Sequence, residues 1–174
     1  MSDSGSESTG RRFLRIYLND HLAGAAGGIA LARRALKSNP DPPFGPFLRA
    51  LIEELEVDQR LLESVMAAHG LPRSRVKQAA ALVAERLGRA KLNGALRGYS
   101  PLSRLVELEG LRVAIGAKLA LWQTLTARPE LAPRPEAVEA ARLRAESQLE
   151  GLEPMRLRAA ETALVAIPEQ GNEP

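Results

Sequence analysis

The sequence predicts an all-α protein, a helical bundle, and three observations carry that expectation. Hydrophobic residues make up 45% of the chain but aromatic residues only 3%. A core must then be filled by Leu, Ala and Val, and Ala and Leu favour helices, whereas sheets draw on β-branched and aromatic residues. Apolar residues also recur in steps of three and four, the spacing that places them on one helix face. Finally, breaks such as Ser38 to Pro43 and Pro129 to Pro135 separate these periodic stretches, and no strand pattern competes.

The elements follow in order. The first helix is expected from about Arg12 to Lys37, closed by Ser38-Asn39-Pro40-Asp41-Pro42-Pro43, a run that cannot continue a helix. It carries Gly24, Gly27 and Gly28 mid-span. Each weakens a helix by roughly 1 kcal/mol against Ala, so the expected return is close approach of a neighbouring backbone or bulky side chain. The second helix covers about Pro46 to His69 and stops at Gly70, with Pro72 beyond. A third segment begins near Ser74 and ends around Asn93-Gly94. Ser100-Pro101 then supplies an N-cap and a proline at the first helical position, opening a fourth helix to about Ala127. The fifth starts near Pro135 and reaches Ala166, with a break or kink expected at Gly151 to Pro154.

At 174 residues the chain fits one domain. Residues 12–167 are expected to form it, between Ser-, Gly- and acid-rich residues 1–11 and a short tail at 168–174, both predicted disordered. The absence of cysteine removes disulfides, thiolate zinc sites, iron–sulfur clusters and cysteine nucleophiles. Lys and Arg number 24 against 21 acids, a net +3, which is weak evidence for a nucleic-acid partner. The apolar run Leu22 to Ala32 is too short to cross a bilayer, and no signal-peptide pattern opens the chain. The cytoplasm is the expected compartment.

Three apolar lines each contain one acid. The first is Phe13, Tyr17, Asp20, Gly24, Gly27, Leu31; the second Leu51, Leu55, Asp58, Leu62, Val65; the third Leu102, Val106, Glu109, Val113, Gly116, Ala120. A bundle would bury each acid, and a buried unpaired carboxylate is costly. Four long helices with inward acids resemble the ferritin-like superfamily. That resemblance implies a four-helix bundle of the first, second, fourth and fifth segments, with the third as an additional crossover helix. An up-and-down bundle of the first four segments is the competing topology. The family's di-iron site takes a Glu from each of two helices and a Glu-x-x-His from each of the other two. Asp20, Asp58 (or Glu54, one turn before it) and Glu109 match acid positions, and Gln148 lies on the fifth segment's line Val138, Ala141, Ala145, Gln148, Leu152. No Glu-x-x-His exists, so neither iron nor manganese is the expected cofactor. A buried polar network, with the acids satisfied by Arg, Lys, Tyr17, Gln148 or His21, is the leading expectation. A degenerate metal site at Asp20, Glu54, Asp58 and Glu109 is one alternative. The other is that the acids lie one position off the true core.

The third segment is basic, and Arg75, Arg86, Arg89 and Arg97 fall on one face at about 100° per residue. That face suits an anionic partner or solvent, although no aromatic residue there offers base stacking. Lys118, between Ile115 and Trp122, is expected to snorkel or to pair with an acid on a neighbouring helix. His21 points away from Asp20 because adjacent helical residues diverge, and His69 suits the carbonyls at a helix end. Glu56 with Arg60, and Arg104 with Glu107, have the spacing of surface ion pairs. A non-catalytic protein with a binding or structural role, as a homodimer, is the expectation that results.

Overall fold

The computed structural model describes residues 3–72 and 99–164. Among them every long element is an α-helix: α1 (Asp3–Ser38), α2 (Phe44–Ala68), α3 (Pro101–Ala127) and α4 (Pro135–Ala163), with a short 3-10 turn at Pro129–Leu131. These are the first, second, fourth and fifth predicted segments. The third, Ser74 to Gly94, lies outside the described residues. No helix among the described residues is long and apolar enough to cross a membrane.

Local chemistry sets most of the boundaries. Ser100 Oγ accepts from the Ser103 amide at 3.1 Å, and Ser103 Oγ accepts from the Ser100 amide at 3.4 Å, so α3 opens on a reciprocal cap with Pro101 behind it. At the end of α2 the Gly70 amide donates to Ala67 and the Leu71 amide to Met66, both at 2.9 Å. This closure needs a left-handed residue, which Gly70 supplies with φ of 58°. Two boundaries differ from expectation. α1 begins at Asp3 and not at Arg12, because extending a formed helix adds a hydrogen bond with each residue ordered. Arg11 also reaches across to the Gly70 carbonyl at 3.3 Å. α4 runs through Gly151 and Pro154 without the expected break. Leu152 and Ala159, on either side of Pro154, are both fully buried, and their packing outweighs one lost backbone bond.

The helices interlock about a single core in which Leu18, Leu22, Leu48, Leu62, Leu111, Trp122 and Leu152 are nearly or fully enclosed. Contacts along the helices fix their directions. Arg34 meets Glu107 and Tyr17 meets Thr124, so α1 and α3 are antiparallel. Glu54 meets Gln148 and Ser64 meets Arg134, so α2 and α4 are antiparallel. Arg33 meets Glu56 and Arg11 meets Gly70, which makes α1 and α2 antiparallel too. α2 and α3 therefore run parallel. Pro72 bonds Asn19 near one end of the bundle and Tyr99 bonds Asn39 at the other. Twenty residues of helix separate those two anchors, or about 30 Å at 1.5 Å per residue. Both the crossover topology and the up-and-down one place α2 and α3 parallel, and the third segment, which distinguishes them, lies outside the described residues.

Candidate functional site

The line through Asp58 is buried along its whole length: Leu51, Leu55, Asp58, Leu62 and Val65 all face the core. The Asp58 side chain is 1% exposed. Its Oδ2 accepts from Lys118 Nζ at 2.6 Å, and its Oδ1 accepts from Arg144 Nε at 2.9 Å and Nη2 at 2.8 Å. Lys118 also donates to Gln148 Oε1, and Gln148 Nε2 donates to Glu54 Oε2 at 2.8 Å. Three helices thus share one chain of polar contacts, with two carboxylates balancing two cations. Burial pushes the Lys118 ammonium below the ordinary lysine range, while the Asp58 carboxylate beside it works in the opposite direction.

The other two acids do not join it. Asp20 is exposed. Glu109 is 51% exposed, with Arg156 at 3.8 Å. Both lie off the core because the buried face of α1 runs through Leu18, Leu22, Ile29 and Ala32, and that of α3 through Leu108, Leu111, Ile115 and Trp122. At Asp20 and Glu109 those lines face solvent, as they do at Phe13, 63% exposed, and Val113, 75% exposed, and the Asp20 line returns to the core only at Gly27 and Leu31. Glu54 is exposed and is hydrogen-bonded to the network by Gln148. Among the described residues no three His, Cys, Asp or Glu side chains are grouped to hold a metal ion. Arg75, Arg86, Arg89 and Arg97 lie outside the described residues.

A second buried polar cluster ties the end of α1 to the start of α3. Glu107 is buried, accepting from Arg34 Nε at 2.7 Å and from the Tyr99 hydroxyl at 2.8 Å. The Asn39 amide donates to Tyr99 at 2.7 Å and its oxygen accepts from Arg104, whose guanidinium lies 4.6 Å from the centre of the Phe44 ring. Burial, with the Glu107 carboxylate adding to it, pushes the Tyr99 hydroxyl well above its ordinary range. The spacing of Arg104 and Glu107 suggests a surface pair, and that expectation is corrected. Glu107 stands four residues before Leu111 on the face that continues to Ile115, and stepping that face back one turn would have found it.

The histidines have modest places. His21 packs edge-on to Tyr17, with ring centres 4.6 Å apart, and burial lowers its pKa against the opposing charge of Asp20. His69 donates from Nε2 to the Leu131 carbonyl at 2.9 Å, joining the end of α2 to the 3-10 turn. No family model, curated protein or solved structure matches this chain.

Proposed function

We propose that this protein is a ferritin-like helical bundle without catalytic chemistry at its centre, in which an ion-pair network stands where that superfamily carries its di-iron site. One observation carries the reading: both oxygens of Asp58, the most deeply buried carboxylate among the described residues, are bonded by Lys118 and Arg144. A carboxylate held by two cations has little left to offer a metal ion, which would have to displace an ammonium from the same oxygen. The fifth predicted segment contributes Val138, Ala141, Ala145 and Leu152 to the same core as α1, α2 and α3, which is the set of four helices that the ferritin-like reading requires. A buried ionic network is well suited to fixing helix register and seldom exceeds an apolar core in stability. The role that follows is structural or binding, in the cytoplasm, through self-association or a protein partner. Phe13 and Val113 are among the large apolar side chains exposed to such a contact.

Metal analysis of protein purified without chelators or nickel affinity tests this reading, together with thermal melts in added iron, manganese and zinc. The expected result is no stoichiometric metal and no shift in Tm. About one metal per chain with a raised Tm, both lost in Asp58→Ala, would overturn it.

A further inference from the structure

The N-terminal half of α1 presents a face that the bundle does not use. At about 100° per residue, Arg12, Ile16 and Asp20 advance by only about 40° at each step of four, and Phe13 falls within about 20° of Asp20. All four side chains are exposed, Phe13 by 63% and Ile16 by 44%. The packed side of the same stretch is distinct: Leu18 and Leu22 are enclosed, and Tyr17 turns to Thr124 of α3.

The charges on this face are not neutralised within the chain. Arg11 reaches the Gly70 carbonyl, whereas the side chains of Arg12 and Asp20 take part in no ion pair or hydrogen bond among the described residues. Eight residues apart, or about 12 Å along the axis, they are too distant to pair with each other. What the face does match is its own two-fold rotation. In an antiparallel pair of α1 helices centred on Ile16, a residue four before the centre stands opposite one four after it. Ile16 then meets Ile16, and Arg12 of each copy meets Asp20 of the other. A parallel pair would set Arg12 against Arg12 and Asp20 against Asp20. Arg15 lies about 60° to the other side of Arg12, at the edge of the face and outside the pairing.

We propose that α1 pairs with α1 of a second copy of this chain, antiparallel and centred on Ile16, through two Arg12–Asp20 ion pairs flanking an apolar contact of Phe13 and Ile16. Such a contact is isologous, the commonest kind in homo-oligomers, because one patch serves both partners. The pairing names the partner for the binding role proposed above and rests on that role, but not on the state of the Asp58 network. Metal content tests that network and molar mass tests this face, so the two can fail separately.

Sedimentation equilibrium of the full chain, from about 10 μM to about 1 mM, is expected to show monomer and dimer with a Kd on the order of 100 μM, since one helix pair is smaller than a standard interface. Arg12→Asp and Asp20→Arg each set like charges opposite one another, and each should weaken association by about tenfold or more with helicity intact. Mixing the two variants restores opposite charges at both contacts, so a heterodimer of wild-type strength is expected. A homodimer is likewise expected from the chain carrying both changes. Monomer mass throughout the range overturns the proposal. So does a dimer that either single reversal leaves unchanged, or one that the mixture fails to recover. The competing occupant of a face with Arg12, Arg15, Phe13 and Ile16 is an anionic membrane surface. Cosedimentation of a monomeric chain with phosphatidylserine vesicles, lost in Arg12→Asp, overturns the proposal in favour of that surface.

Discussion

At the scale of single residues, Asp58 is the side chain on which most depends. Removing it would leave Lys118, only 11% exposed, and Arg144 facing each other across the gap. Asp58→Ala is therefore expected to lower stability by about 3–5 kcal/mol. Replacing the pair together, as Asp58→Leu with Lys118→Met, should cost clearly less, because Arg144 at 28% exposure can still turn to water. Urea unfolding of both variants measures the difference, and an equal loss would contradict the pairing. Asp58 was legible in the sequence because large aliphatic residues stand before and after it on its line. Asp20 and Glu109 were misphased for the opposite reason. Gly24, Gly116 and Ala120 on their lines are small enough to sit on either side of a helix, so periodicity alone cannot distinguish an inward from an outward face.

At the scale of elements, glycines at different places do different work. Gly45, at the start of α2, sits where an added Cβ would lie 1.9 Å from the Pro40 carbonyl oxygen, and its amide bonds Asp41 at 2.9 Å. No side chain can be accommodated there without moving backbone. Gly45→Ala is expected to destabilise by about 2–4 kcal/mol. Gly24→Ala, which meets open space, is expected to stabilise by about 0.5–1 kcal/mol through helix propensity. Thermal melts of the two variants should move in opposite directions. Gly28 partly meets the expectation of close approach, since its missing Cβ would lie 3.5 Å from that of Ala114. The ends of α2 and α3 were readable because Gly70 and Ser100-Pro101 act through their own backbone and nearest neighbours. The path of α4 through Pro154 was not, because burial of Leu152 and Ala159 against other helices overrides a local breaker.

At the scale of the molecule, one continuous core joins all four helices, and Trp122 sits within it. Far-ultraviolet circular dichroism and Trp122 fluorescence are therefore expected to report a single, coincident thermal transition. An earlier change in fluorescence would mean that the packing around Trp122 loosens before the helices melt. The sequence by itself determined that the protein is helical, where α2 and α3 end and begin, and that Asp58 faces inward. These rest on propensity, capping and periodicity, which act within a few turns of chain. Only the tertiary structure decided that α2 and α3 run parallel, that Lys118 and Arg144 converge on Asp58, and that Glu107 is buried. Each of those depends on which helix faces meet, and residues 60 to 86 positions apart come together there. No local pattern encodes a partner that distant.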